Sequence, residues 1–209
     1  DQILLRVIGS PDPYGKQTDG MGGATSSTSK VALIAPSTKP GHDVDYWFGQ
    51  VAIDRPMIDW SGNCGNLSTA VGPFAIARGL VKAPANGEAV VRIWQANIRK
   101  TIVAHVPMQG GEVQELGDFE LDGVTFPAAE IRLEFMDPGA DGGGEGGAVP
   151  LNRGATGMFP TGQVLDVIEV PGMAPMDATL INAGNPTVFV DATALGLTGA
   201  ELQTDVNSH

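Results

Sequence analysis

The hydrophobic positions of this chain fall into short runs broken by glycine and proline, with one exception. From Leu67 to Leu80 apolar residues cover every helical face. Leu67, Val71, Phe74, Ile76 and Leu80 supply the bulk, Ser68, Thr69, Ala70, Gly72, Ala75, Ala77 and Gly79 fill the gaps, and Arg78 is the sole charge. A helix without a polar stripe is expected to be buried all round. At about 14 residues it is shorter than the ~20 that a membrane span needs. The pattern predicts a central helix over 65–81, enclosed by sheet, with Cys64 at its N-terminal mouth.

The other runs read as shorter elements. Asp1 to Ile8 looks like the tail of a helix, stopped by Gly9 and Pro11. Val31–Pro36 and Val44–Ile53 are strand-like, and Arg55-Pro56 breaks the second. After the turn at Pro84-Ala85-Asn86-Gly87, strand signals follow at Ala89–Trp94, Lys100–Val106, Glu112–Leu121 and Ile131–Phe135. Gly110-Gly111 and Asp122-Gly123 punctuate them. A strand series after one buried helix predicts a sheet curled round it. Asp137–Pro150, with six residues of glycine and glutamate at its centre (Gly142-Gly143-Gly144-Glu145-Gly146-Gly147), reads as a linker. Beyond it, Gln163–Val170, Asp177–Ile181 and Thr187–Val190 are strand-like, and Thr198-Gly199-Ala200-Glu201 has the form of a capping box that opens a helix.

Composition narrows the function. The net charge of −12 argues against nucleic acid or an anionic membrane surface as partner. An anionic substrate must then find a locally positive site. A single cysteine excludes an internal disulfide framework and allows a reducing compartment. Hydrophobic content of 42% is enough for a packed core. No signal peptide or membrane span is visible, and a cytoplasmic setting is expected.

The chemistry points to Cys64. It lies in Ser61-Gly62-Asn63-Cys64-Gly65-Asn66, where a turn hands over to the helix. The first N–H groups of a helix have no partner within it and that end is partly positive, so anions, a thiolate or a substrate carboxylate among them, are favoured there. A buried structural thiol is the competing reading. Lys30 closes the Gly/Ser/Thr-rich run Thr18–Lys30. Composition reads that run as a flexible linker, and function reads it as a pocket wall with an ammonium at its end. Its spacing is wrong for a Walker loop. A cysteine hydrolase would need His42 or His105 beside the thiol. No metal is expected: the acidic glycines of 137–150 lack the ordered ligand spacing of an EF-hand, and no histidine–carboxylate set has zinc spacing. Asn182-Ala183-Gly184-Asn185-Pro186 reads as a turn.

These residues together resemble a known family. Ser10-Pro11-Asp12-Pro13-Tyr14, Asp19–Lys30, Asp43-Val44-Asp45-Tyr46 and Asp59–Ser68 look like the 2-methylaconitate cis–trans isomerase (PrpF) family. Ile93–Asn97, Gly117–Val124, Phe159-Pro160-Thr161-Gly162 and Ile181–Thr187 continue the match over nearly the whole chain. The resemblance implies an α+β fold of the diaminopimelate epimerase type: two pseudo-symmetric halves, each a mixed β-sheet barrel wrapped around a central helix. Here 1–149 would be the first domain, lacking its opening strand, and 150–209 the start of an incomplete second. Family chains are longer at both ends, and Arg153–Gly157 looks like an insertion. The implied activity is a cofactor-independent allylic isomerisation of small unsaturated di- or tricarboxylates. In propionate catabolism it serves the 2-methylcitrate pathway, with 4-oxalomesaconate tautomerase as the alternative. Lys30 and Cys64 are the implied catalytic residues, facing each other across the substrate. Ser29, Asn63, Gly65 and Asn66 are the expected substrate-binding residues. The expected partner is a small carboxylate, with a homodimer left open. Two further readings stand beside this: a cysteine-dependent hydrolase and a non-catalytic carboxylate-binding module.

Overall fold

The structure is a computed structural model that describes residues 1–137, 157–183 and 186–209. The chain divides into two units, residues 1–137 and 138–209. The expected linker and calcium loop, the boundary at 149/150, most of Arg153–Gly157 and the middle of the Asn182–Pro186 turn lie outside the described residues.

The first unit opens with α1 (Gln2–Ile8), which buries Leu5 and Ile8 against Val31, Val51 and Ile58. Gly9 ends it in the left-handed region (φ +85°), which lets the N–H groups of Gly9 and Ser10 turn back to Leu5 O at 2.9 Å each. A mixed seven-stranded sheet follows. β1 (Lys30–Pro36) pairs antiparallel with β2 (Val44–Val51), which also pairs antiparallel with β3 (Ile58–Asp59) and parallel with β4 (Gly87–Gln95). β4 pairs antiparallel with β5 (Lys100–Gln109), and β5 pairs with both β6 (Glu112–Val113) and β7 (Arg132–Phe135). Period-2 alternation places Ala89, Val91, Ile93 and Gln95 of β4 inside while Val90 and Arg92 face water.

Between β3 and β4 come α2 (Gly65–Ser68) and α3 (Val71–Ala77). Val71 and Ala75 of α3 pack on Val44, Tyr46, Phe48, Val91, Ile93, Ile102, Ala104 and Val106, which form the main core. Gly72 makes the approach close: a Cβ there would lie 2.9 Å from Val106 Cγ2 and 3.2 Å from Ala104 Cβ.

The expected continuous, fully enclosed helix over 65–81 is corrected in two respects. It is split in two, and α3 has an outward face. Pro73 accounts for the split. It lacks an N–H, so it is accommodated only in a first turn, and α3 begins at Val71 to place it there. The outward face carries Phe74, which is 44% exposed, with Arg78 stacked over its ring. Alanine and glycine fit either environment, so the apolar pattern could not tell the faces apart.

The expected strand Glu112–Leu121 shortens to Glu112–Val113 plus an isolated bridge from Phe119 to Ala128. Leu116 and Leu121 are exposed, so the run has no buried side to hold it in a ladder. In the second unit, β8 (Asp166–Ile168), β9 (Met176–Asn182) and β10 (Pro186–Val190) form an antiparallel sheet with β9 at its centre. A 3₁₀ turn at Ala192–Leu195 follows. The Thr198–Glu201 segment makes its local hydrogen bonds but opens no helix there. Glu201 accepts from the N–H groups of Thr198 and Gly199, yet Gly199 is at φ +84°. The helix α4 starts later, at Gln203–Asn207, with Asp205 accepting from Leu202 N–H.

Candidate active site

Lys30 is the first residue of β1, and the loop before it is built rather than loose. The Asp12 carboxylate accepts backbone N–H bonds from Tyr14 (2.9 Å), Lys16 (2.9 Å) and Gln17 (2.6 Å). The bonds from Tyr14 and Lys16 lead in holding its carboxyl below the usual carboxylate range. The turn they fix drives Gln17 inward, where it is 2% exposed. Gln17 Nε2 donates to Ser10 Oγ and Ser29 Oγ, both at 2.8 Å, and Oε1 accepts from Ala24 N–H at 2.8 Å. The linker reading of Thr18–Lys30 therefore gives way to an ordered loop wrapped around one buried amide. Ser29, beside Lys30 in the chain, is completely buried, and its hydroxyl accepts from Gln17 Nε2.

Cys64 arrives from the other side. It is the N-cap of α2 in extended conformation, and its Sγ accepts from Leu67 N–H at 3.5 Å. Lys30 Nζ lies 3.4 Å from the same sulfur. The two side chains singled out in the sequence thus meet, in direct contact. At 3.4 Å a substrate carbon fits between them only if one side chain moves aside. Ser68 is fully buried and donates to Cys64 O at 2.7 Å, with Asn63 Oδ1 3.4 Å from the same hydroxyl. Gly65 and Asn66 are exposed at the start of α2, where helix geometry leaves N–H groups without intrahelical partners. Asp59 accepts from Ser61 N–H at 2.8 Å and steadies the turn toward the cysteine.

Tyr46 lies beneath the site and is completely buried. Burial pushes its phenol well above the usual range; a contact with Ser68 acts downward and the nearby Cys64 adds to the rise. That Ser68 contact lacks the geometry of a hydrogen bond, since the Tyr46 hydroxyl has no hydrogen-bond partner. The phenol is a neutral floor to the site.

His42 and His105, the two candidates for a hydrolase, are engaged elsewhere. His42 Nε2 lies 2.9 Å from Thr101 Oγ1. His105 Nδ1 lies 2.7 Å from Glu88 Oε1, and its Nε2 is 3.1 Å from Glu134 Oε1 at an angle that makes no hydrogen bond. Neither His42 nor His105 therefore forms the pair with Cys64 that a cysteine hydrolase would need. An apolar recess of about 450 Å³, lined by Leu33, Ile34, Ala35, Trp47 and Trp60, includes neither Lys30 nor Cys64. The lysine–cysteine contact, not the recess, carries the groups that can move protons. Among the described residues no cluster of histidine, cysteine and carboxylates could hold a metal ion, and no helix is long and apolar enough to cross a membrane.

The profile of the family described as PrpF protein matches residues 1–209. The chain belongs to the PrpF family. A 2-methyl-aconitate isomerase of Cupriavidus necator is 66% identical over 211 aligned positions, covering 100% of this chain and 51% of that protein. A 4-oxalomesaconate tautomerase of Pseudomonas putida is 41% identical, covering 96% of this chain and 50% of its own length. The crystal structure of a methylitaconate-delta-isomerase superposes with a TM-score of 0.71 at 36% identity, over 100% of this chain and 50% of the other. The α+β fold with a mixed sheet against a helix is thus one this chain shares with that isomerase. The chain spans about half the length of the curated relatives it matches.

Sequence reasoning missed Gln17, whose buried amide holds the loop before Lys30, and the amide pair Gln95 Nε2–Asn97 Oδ1, 2.7 Å apart. Gln95 left a trace, because it falls at a buried position in the alternation of β4.

Proposed function

We propose that this chain carries the proton-transfer pair of a cofactor-independent isomerase acting on small unsaturated di- or tricarboxylates, with 2-methylaconitate as the foremost substrate. One observation carries the reading: Lys30 Nζ lies 3.4 Å from Cys64 Sγ at the start of a helix. A substrate carbon enters between them and replaces that contact, which the flexible lysine stem permits. One of the pair takes the proton from the carbon next to the double bond. The electron pair moves into the conjugated carboxylate as an enolate, and the former double bond becomes rotatable. The N–H groups of Gly65 and Asn66 and the lysine ammonium are suited to stabilise that charge. Return of the proton fixes the new isomer and restores both side chains.

The greater similarity to the 2-methyl-aconitate isomerase (66%) than to the 4-oxalomesaconate tautomerase (41%) favours the first substrate. A lone thiol beside an amine suits a reducing, cytoplasmic setting. The test is turnover of both substrates by the full-length protein in deuterated water, followed by NMR. Isomerisation of 2-methylaconitate with deuterium uptake is expected, together with a loss of at least about 10²-fold in Lys30→Ala and in Cys64→Ala. Wild-type turnover in the Lys30 variant refutes the catalytic assignment. Ligand-induced stabilisation without deuterium uptake supports a carboxylate-binding module instead.

A further inference from the structure

β2 has two different neighbours along one edge. Over Val44–Tyr46 it pairs in parallel with Ile93–Gln95 of β4, and over Gln50–Val51 it pairs antiparallel with Ile58–Asp59 of β3. Between these stretches the edge forks, and Phe48 has no strand opposite it on that side. Its N–H and C=O would be left without partners in a buried part of the sheet.

Asn97, in the turn between β4 and β5, fills that gap with its side chain. Oδ1 accepts from Phe48 N–H at 2.8 Å and Nδ2 donates to Phe48 O at 2.9 Å, as a neighbouring strand would. The same Nδ2 donates to Trp60 O at 2.6 Å, and Oδ1 also accepts from Gln95 Nε2 at 2.7 Å. Gln95 is itself completely buried and accepts from Ile98 N–H at 2.9 Å. Both donors and both acceptor directions of the Asn97 amide are therefore used, which fixes its orientation.

The ends of these bonds matter. Phe48 is two residues before Gln50, which stands opposite Lys30 in the β1–β2 register. Trp60 is four residues before Cys64 on the segment that delivers the thiol. One side chain thus ties the strand that sets the lysine to the segment that carries the cysteine. We propose that Asn97 is the positioning residue that sets the Lys30–Cys64 span, by clamping Phe48 and Trp60 across the fork in the sheet. It acts through these backbone groups and not on the substrate. The inference rests on the lysine–cysteine reading of the site given above.

The test uses the full-length protein, its Asn97→Ala variant and its Asn97→Asp variant. The aspartate keeps the shape and the acceptor for Phe48 N–H but loses donation to Trp60 O and Phe48 O. Two quantities are read: the yield of a Lys30–Cys64 bridge with a short-armed amine-to-thiol cross-linker, by mass spectrometry, and the separate kcat and KM for 2-methylaconitate. In variants with wild-type circular dichroism, cross-linking falls about tenfold and kcat falls about 10- to 100-fold while KM stays within about threefold, as expected for a misplaced pair. A folded variant that cross-links and turns over like the wild type overturns the proposal. If neither variant folds, Asn97 is a fold residue, and the proposal is overturned as well. A wild type that cross-links but does not isomerise, with cross-linking lost in the variants, refutes the isomerase reading and supports the clamp.

Discussion

Lys30 and Asp59 share one cross-strand partner: Gln50 stands opposite the lysine in the β1–β2 ladder and opposite the aspartate in the β2–β3 ladder. The Gln50 side chain adds to this by donating to Ser26 O at 3.0 Å and Ser29 O at 2.9 Å. The backbone that leads into Lys30 and the strand that leads toward Cys64 are thus keyed to the same residue. Gln50→Ala keeps the ladders and removes the side-chain bonds. It is expected to lower stability by about 1–2 kcal/mol, read from urea unfolding. A variant as stable as the wild type shows that these bonds do not hold the loop.

Gln17 is the second support. Gln17→Ala removes the partners of Ser10 Oγ, Ser29 Oγ and Ala24 N–H together. Buried polar groups left without partners make this more severe than the Gln50 change, at about 3 kcal/mol. Limited proteolysis within residues 18–28 is expected to speed up in the same variant. Unchanged cleavage means the loop is held by its backbone bonds alone.

Gly72 tests the packing of helix on sheet. In an open helix, alanine would be preferred over glycine by about 1 kcal/mol. Here the added Cβ meets Val106 Cγ2 at 2.9 Å and Ala104 Cβ at 3.2 Å, so Gly72→Ala is expected to destabilise by about 1–3 kcal/mol. Pairing it with Val106→Ala relieves the clash, and a double-mutant cycle should show a coupling of favourable sign. Simple additivity of the two changes contradicts the close approach.

Acid stability follows from Asp12. Its folded-state pKa is held below the ordinary 3.8 by the backbone N–H groups of Tyr14, Lys16 and Gln17. A depressed carboxyl contributes stability that is fully present above the unfolded value. That contribution is lost as pH falls from about 3.8 through the lower folded value. Asp12→Asn removes it, so the variant's unfolding midpoint should change less between pH 5 and pH 2 than the wild type's. Parallel pH profiles for the two proteins exclude this role for Asp12.

The strands were legible where burial alternates with solvent: Ala89, Val91 and Ile93 against Val90 and Arg92 give period two without help from contacts. The helix was legible as a segment but not as an orientation, because Gly72 and Ala75 face the core while Ala77 faces water with the same residue types. Cys64 stood out by its turn-to-helix setting and Lys30 by closing the Gly/Ser/Thr-rich run, their catalytic roles came from the family resemblance, and nothing in their spacing shows that they touch. The supports were hidden for a related reason. Gln17 sits beside a glycine- and serine-rich stretch whose composition suggests looseness, and only its contacts make that stretch an ordered loop. Asn97 sits in a turn, where asparagine is ordinary, and its bonds reach to residues 48 and 60.

The divided edge of β2 also bears on how the thiol and the amine are held. Residues 60–86 leave the sheet at the fork and return as β4, so their length and content are not written into the hydrogen-bond ladder on either side. The thiol thus rides on an excursion held by the packing of α3 on the core, while the amine sits in a strand whose register the ladder fixes.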